Sequence, residues 1–263
     1  MHTRSVPMAV MALATVLYVP GATADDAASN GGAAAVEHVT DETPDYDPWH
    51  RFNERTFWFN YYVLDKRVMK PIAHAWERVL PDRVRHAIGN FFDNVSMPKR
   101  LFNDLLQARP RAAGEQIGRF AINTTIGVVG FLDMAGRFGL HGTDADGGQT
   151  LGVWGFGPGP YLVLPFLPPL TLRDGVGFGA DTVTDPLGYV VPVPLVVSIS
   201  TAAVRRVNER SLQPAAFENI EETVLDLYSA VRNFYLQRRR LVVRQGRDDS
   251  LLFRPRASAT PSP

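Results

Sequence analysis

The chain has 263 residues, no cysteine, and 27 basic against 27 acidic side chains, for a formal net charge of zero. Without cysteine there is no disulfide framework and no cysteine-based metal site, and the balanced charge removes the bulk electrostatic argument for nucleic acid.

The first residues read as an export signal. Arg4 precedes an apolar core from Met8 to Val19, Pro20 and Gly21 break it, and Ala22 and Ala24 supply the small residues for cleavage before Asp25. An uncleaved anchor is the alternative, but the apolar core is too short to span a bilayer. Residues 25–44 are mainly Ala, Gly, Asp and Glu, a composition unable to bury enough surface to offset ordering, and are expected to form a flexible tether. Residues 45–246 suit one domain. Residues 247–263, ending Ala257-Ser258-Ala259-Thr260-Pro261-Ser262-Pro263, are expected to be a disordered tail.

The body begins with an aromatic segment, Arg51 to Val68, holding Phe52, Phe57, Trp58, Phe59, Tyr61 and Tyr62. They do not keep to one helical face, so the segment is expected to be an interfacial helix with Trp and Tyr at headgroup level and Phe in the apolar layer. A buried core helix is the alternative. Pro71 opens a second helix to Leu80, with Ile72, Ala75, Trp76 and Val79 at spacings of three and four. After Pro81, Asp82 caps a helix with Val84, Ala87, Ile88 and Phe91 on one face, interrupted at Gly89 and Asn90. Pro98 precedes a helix with Leu101, Phe102, Leu105 and Leu106 on one face. Pro110 fits the first turn of another through Ile117, Phe120 and Ala121. From Ala121 to Leu132 the chain is uncharged, with Gly127 and Gly130 permitting close backbone approach.

Two further stretches, Leu151 to Leu172 and Pro186 to Val204, carry no charge. Each is long enough to cross a bilayer, yet Pro158, Pro160, Pro165, Pro168, Pro169, Pro192 and Pro194 remove amide donors throughout them. Such segments sit at membrane depth only where other protein or water covers the breaks, which implies a membrane-seated body with an interior surface. Tyr189 to Val197 is the best strand candidate, confined by its prolines to an edge. Phe217 to Val243 reads as a long helix through Val224, Leu227, Tyr228, Val231 and Tyr235. Arg238, Arg239, Arg240, Arg244 and Arg247 crowd its end, where they complement the helix dipole or meet lipid phosphate or an acidic partner. The fold class is all-α, with proline- and glycine-rich loop segments.

No set of groups converges on catalysis. The histidines at 38, 50, 74, 86 and 141 lack metal-binding spacing. Ser96 and Lys99 match a serine-lysine spacing, but Pro98 between them breaks the helical turn that would align the pair. Gly155-Phe156-Gly157-Pro158-Gly159-Pro160 lacks the features of a phosphate-binding loop. Arg173-Asp174 reads as a structural ion pair or cap. No catalytic residue, metal ligand or cofactor is assigned, which favours binding or transport over an enzyme.

The residues also carry a family pattern. Asp47-Pro48-Trp49-His50-Arg51-Phe52-Asn53, Phe59-Asn60, Leu64-Asp65 and Lys70-Pro71-Ile72-Ala73 open it. Val84-Arg85, Asn90-Phe91-Phe92, Asn94, Pro98, Asn103, Leu105-Leu106-Gln107, Arg119-Phe120 and Asn123-Thr124-Thr125 continue it. Gly148-Gln149-Thr150-Leu151-Gly152, Trp154-Gly155, Gly159-Pro160-Tyr161, Leu164-Pro165 and Leu172-Arg173-Asp174 follow. In this order they resemble the MlaA (VacJ) family of outer-membrane lipoproteins over about 45–246.

The resemblance implies a single ring-shaped helical domain lying in the plane of the inner leaflet of a Gram-negative outer membrane, with a central channel. It implies a role in removing mislocalised phospholipid from the outer leaflet, with a porin trimer and a periplasmic lipid-carrier protein as partners. It places Asn90, Phe91 and Phe92 near the channel as gating candidates, and makes Gly148, Gln149, Gly152, Tyr161 and Arg173 candidates for shaping the lipid path. Helix-end packing, turn geometry and ion pairing are the ordinary alternatives for these residues. The family is normally lipidated on a cysteine, which this sequence lacks. Smaller departures are Gly147, where the family often has an aromatic residue, and Pro168, where it often has glycine. A structural or virulence-associated envelope protein without lipid transfer is the alternative function.

Overall fold

Prolines set several of the helix starts, as the sequence requires. In the computed structural model, which describes residues 47–184, 195–212 and 226–252, helix α1 spans His50–Trp58 and runs into a π-helical segment, Phe59–Met69. Helix α2 (Lys70–Val79) has Pro71 in its first turn, α4 (Met97–Leu106) has Pro98, and α5 (Pro110–Thr125) begins on Pro110. A proline is tolerated there because the first-turn amides have no helical acceptor. Helix α3 covers Asp82–Val95. It runs unbroken through Gly89 and Asn90, against the expected interruption: a glycine inside a helix costs only about 1 kcal/mol, which flanking packing overrides.

Helices α6 (Met134–Arg137) and α7 (Gly147–Val153) follow, then a hairpin of β1 (Tyr161–Leu162) and β2 (Leu170–Thr171), antiparallel with Tyr161 opposite Thr171. Helices α8 (Leu172–Thr184), α9 (Leu195–Ser211) and α10 (Leu227–Asp249) complete the described chain. The all-α assignment holds, the two short strands notwithstanding. Of the strand candidate Tyr189 to Val197, residues 195–197 are helical and the rest lies outside the described residues. The signal peptide and the tether also lie outside them. The final helix begins at Leu227, with residues 217–225 not described, and continues past Val243 to Asp249. The tail boundary at 247 is corrected accordingly. Arg247 donates to the Gly152 carbonyl at 2.7 Å, and the fully buried Ser250 donates to the Gln107 carbonyl at 2.6 Å.

The chain divides into two compact units. Among the described residues, the first combines 47–81, 158–172, 206–212 and 226–235. Its core is aromatic: Phe57 stacks on Tyr61 with centroids 6.1 Å apart and meets Tyr228 edge-on at 5.6 Å, while Tyr161 and Tyr228 lie 6.3 Å apart. This corrects the interfacial reading for two of the six aromatics. Phe57 and Tyr61 are buried, whereas Phe52, Phe59 and Tyr62 are exposed and Trp58 is intermediate. The buried row Asn53, Phe57, Tyr61 and Asp65 recurs every four residues. On an α-helix such a row drifts by about 40° per step. The wider turn of the π-segment removes much of that drift, keeping Tyr61 and Asp65 inward. A 3.6-residue period therefore scatters these aromatics over the surface.

Among the described residues, the second unit combines 82–157, 173–184, 195–205 and 236–252. Here α7 lies against α8 through glycines. A Cβ built on Gly177 would fall 2.0 Å from the Gly148 amide nitrogen, and one on Gly147 would fall 2.5 Å from the Gly177 carbonyl oxygen. Only side-chain-free positions permit this approach.

Over the described residues as a whole the usual distribution of polarity is weakened. Polar and charged residues outnumber apolar ones among the buried residues, an excess that lies in the second unit, while many large apolar side chains, from Trp49 and Phe52 to Phe166, Phe178 and Leu252, are exposed. Buried polar groups and large exposed apolar surface are the informative departures from a water-soluble pattern.

Candidate functional site

The buried polar groups of the second unit are built around Arg239, on α10. Its Nη1 and Nη2 donate to the two carboxylate oxygens of Asp146 at 2.7 and 2.9 Å, and its Nε and Nη2 donate to Asp174 at 3.0 Å each. Asp146 is also the N-cap of α7, accepting from the Gln149 amide at 2.7 Å. Asp174 further accepts from Arg173, Nε at 3.1 Å and Nη2 at 2.9 Å. Two carboxylates and two guanidiniums thus balance in charge within one buried cluster. Burial opposes ionisation of Asp146, but Arg239 and the Gln149 amide outweigh it and hold its carboxyl below the ordinary value.

A second polar chain adjoins α7. Asn103 donates to Asp181 at 2.8 Å, the Gly147 amide donates to the same carboxylate at 2.9 Å, and Thr150 donates to Asn103 at 2.7 Å while accepting from Gln107 at 2.9 Å. Burial raises the Asp181 carboxyl above its ordinary value, the opposing hydrogen bonds from Gly147 and Asn103 being too small to reverse it. Asp104 is raised for the same first cause, although it accepts from Thr143 and pairs with Arg109 at 3.3 Å.

The candidate residues sort themselves by this geometry. Gly148, Gln149, Gly152 and Arg173 come together at the Arg239 cluster. A Cβ on Gly148 would lie 2.5 Å from Asp174 and 2.8 Å from Arg239, and one on Gly152 would lie 2.6 Å from Val243. Gln149 donates through its side chain to the Val242 carbonyl at 3.0 Å. Asn90 and Phe91 meet the turn after α5 instead, while the Phe92 ring meets that of Phe91 edge-on at 5.7 Å. Asn90 donates to the Phe131 carbonyl at 3.3 Å, and Phe91 stacks on Phe131 with centroids 5.1 Å apart. Tyr161 belongs to the first unit.

In that unit, asparagines do the holding. Asn53 donates to the Tyr161 carbonyl at 3.0 Å and accepts from the Val163 amide at 2.9 Å, so one side chain satisfies both backbone groups of the β1 edge. Asn60 does the same further along, donating to the carbonyls of Leu164 and Leu167 at 2.9 and 3.2 Å and accepting from the Phe166 amide at 3.1 Å. Asp47 accepts from Asn53 at 2.7 Å and from the Tyr228 hydroxyl at 2.5 Å. Asp65 and Arg210 form a buried pair at 2.9 Å. The Tyr161 hydroxyl has no hydrogen-bond partner, and burial raises its pKa.

Arg239, Asp146, Asp181, Asn60 and Arg210 were not singled out by sequence reasoning. Asn60 stood in the family pattern, but its role depends on a contact more than a hundred residues distant. Among the described residues no group of histidine and carboxylate side chains is arranged to hold a metal, and no helix is long and apolar enough to cross a membrane. The site offers shape, hydrogen bonds and a buried charge balance.

The sequence model of the family described as MlaA lipoprotein matches residues 45–241. The chain is 32% identical over 210 residues to the intermembrane phospholipid transport system lipoprotein MlaA of Escherichia coli (strain K12), covering 79% of this chain and 82% of that protein. The protein of the same name from Shigella flexneri matches with the same identity and coverage. A solved chain from "Structural basis for maintenance of bacterial outer membrane lipid asymmetry" superposes with a TM-score of 0.67 at 33% identity, covering 75% of this chain and 98% of that one.

Proposed function

The chain belongs to the MlaA lipoprotein family, and from that premise we propose that it is a non-enzymatic component of intermembrane phospholipid transport that maintains outer-membrane lipid asymmetry. In this reading it is exported by a cleaved signal peptide (1–24) and reaches through a tether (25–44) to a body seated in the periplasmic leaflet of the outer membrane. There it takes mislocalised phospholipid from the outer leaflet and passes it to a periplasmic carrier, working beside a porin trimer.

The observation that carries the reading is the pairing of buried polar side chains with exposed large apolar ones. In water the exposed apolar surface is costly, whereas the buried polar groups are largely paired with one another. In lipid it is favoured: hydrocarbon covers the apolar exterior, and the polar interior offers a headgroup a path that its tails need not enter. Phospholipid movement of this kind breaks no covalent bond. In this reading Gly148, Gln149, Gly152 and Arg173 serve the path within the second unit, and Tyr161 is a separate candidate in the first; all five are buried. Asn90, Phe91 and Phe92, half-buried, remain the gating candidates in this reading. The sequence offers no cysteine for a thioether-linked lipid, so retention of this chain rests on its apolar surface.

The test is outer-leaflet phosphatidylethanolamine, measured by surface labelling of intact cells lacking the gene, with and without a restored copy. Accumulation reversed by complementation is expected. Unchanged labelling, in cells with no second gene of the family, would overturn the reading.

A further inference from the structure

Between α5 and α6 the chain makes a turn, residues 126–132, whose construction suits hydrocarbon better than water. Every side chain in it that has a Cβ is apolar, and Ile126, Val128, Val129, Phe131 and Leu132 are all exposed, Val128 by 59% and Val129 by 55%. The two glycines, Gly127 and Gly130, are buried instead. Gly130 sits against Asn94, with φ at +93°.

Six of the seven amides of this turn, all but that of Val128, are paired within it or with the end of α5. The amides of Ile126 and Gly127 donate to the Ile122 carbonyl at 2.9 and 3.1 Å, and those of Val129 and Gly130 donate to Thr124 and Asn123 at 3.0 and 2.7 Å. Phe131 donates to Val128 at 3.2 Å and Leu132 to Gly127 at 2.9 Å. Asn90 caps the Phe131 carbonyl. Internal pairing of most of these groups is what a bilayer interior favours, while the Val128 amide and the carbonyls of Ile126, Val129 and Gly130 are left for water or lipid polar groups.

The closure forces Val128 and Val129 into positive φ, +55° and +59°. This region is an outlier for β-branched residues. Strain of this kind persists where the surroundings over-determine it, and here it turns two adjacent apolar side chains outward. Charge stands only at the neck. Arg119 reaches both oxygens of Asp133 at 3.1 Å, and Asn123 donates to Asp133 at 3.0 Å while accepting from the Ala135 amide at 2.8 Å.

We propose that the 126–132 turn is a lipid-inserting wedge, its tip among acyl chains and its Arg119–Asp133 neck at the headgroup layer. A protein partner fits less well, because interfaces carry roughly one hydrogen bond per 100–200 Å², and this tip presents no polar side chain to make one. The inference rests on the membrane reading above but is narrower, since the body could bind lipid by another face.

The absence of cysteine supplies the probe. Val129→Cys in protein purified from the envelope gives a single attachment point for an environment-sensitive fluorophore, and Arg111→Cys, whose native side chain is 93% exposed, gives a reference. In phosphatidylethanolamine and phosphatidylglycerol vesicles, the label at 129 is expected to shift to the blue, to be quenched by acyl-chain nitroxides and to resist iodide, while the label at 111 stays open to iodide. Val129→Asp is expected to reduce quenching of a label at Val128→Cys several-fold with helicity unchanged by circular dichroism. If protein floats with vesicles while the label at 129 remains open to iodide, the wedge fails and the membrane reading stands. If it does not float, both fail. A blue shift that grows with protein concentration without lipid would place the turn against a second copy and overturn the proposal.

Discussion

Arg239 grips both oxygens of Asp146 while its remaining donors hold Asp174, so one guanidinium joins the start of α7 to the first turn of α8. All three side chains are nearly removed from solvent. Removing the cation leaves two buried carboxylates partly uncompensated, and breaking buried pairs of this kind costs about 3–5 kcal/mol. Arg239→Ala is expected to lower the urea midpoint accordingly. Arg239→Lys should recover only part of the loss, because an ammonium cannot span two carboxylates in a fork.

Four perturbed carboxyls of the second unit, three buried and Asp133 half-buried, predict a stability profile with two limbs. Asp146 and Asp133 are held low in the fold: burial opposes this in each, and Arg239 for one, the Gly136 amide with Asn123 and Arg119 for the other, prevail. A depressed acid contributes stability above its unfolded pKa of about 3.9 that is lost as pH falls through the folded value. Asp104 and Asp181 are raised by burial, so their contribution is full below that unfolded value and is lost as pH rises through the folded one. Urea midpoints measured from about pH 3 to pH 7 should fall at the acid end, less steeply in Asp146→Asn. The decline on the other limb should shrink in Asp181→Asn.

The glycines of α8 should respond in opposite directions. An alanine methyl at Gly177 would meet the backbone of Gly147 and Gly148 at 2.0–2.6 Å, which no rotamer change relieves. Gly177→Ala is expected to cost 1–3 kcal/mol or more, the range for over-packing, roughly estimated. Gly179 is exposed in the same helix and has nothing within 4 Å of its missing Cβ. Gly179→Ala should stabilise by about 0.5–1 kcal/mol through backbone entropy. Thermal unfolding of the two variants beside the parent checks both signs.

Much of this helical order was legible because proline and local apolar spacing mark it. Pro71, Pro98 and Pro110 fall in the first turns of α2, α4 and α5. The aromatic segment was less legible, since its buried row follows the wider pitch of a π-helix. Helices α7 and α8 gave no periodic signal, being short or glycine-rich and joined by Gly-on-Gly contact. The site divided in the same way. Gly148, Gln149, Gly152 and Arg173 were found through the family pattern, but Arg239 lay hidden in a basic run that an ordinary helix C-terminus also explains. Its two carboxylate partners are 93 and 65 residues away, a distance at which local spacing carries no information.

Asn60 secures the segment after β1 by three bonds, to Leu164, Leu167 and Phe166. Asn60→Ala strands the Leu167 carbonyl and the Phe166 amide in a half-buried place, each worth about 1–3 kcal/mol if water does not reach it, while the Leu164 carbonyl keeps the Leu167 amide at 3.2 Å. The loss should appear locally before it appears globally. Amide hydrogen exchange at Phe166 is expected to quicken about tenfold for each 1.4 kcal/mol lost, while exchange in α5 stays unchanged.

Tyr161 makes the converse case. Its ring is fully buried among Tyr228 and Tyr235 and lies 5.9 Å from the Arg232 guanidinium, yet its hydroxyl has no hydrogen-bond partner. A buried hydroxyl without a partner costs about 1–3 kcal/mol, and the ring's packing does not depend on it. Tyr161→Phe is therefore expected to leave the fold intact and raise the urea midpoint slightly. Tyr161→Ala should lose about 3–5 kcal/mol, as large aromatic truncations do. A clear loss in Tyr161→Phe would mean that the hydroxyl does bond in solution, to water or lipid, and that Tyr161 touches the transport path directly.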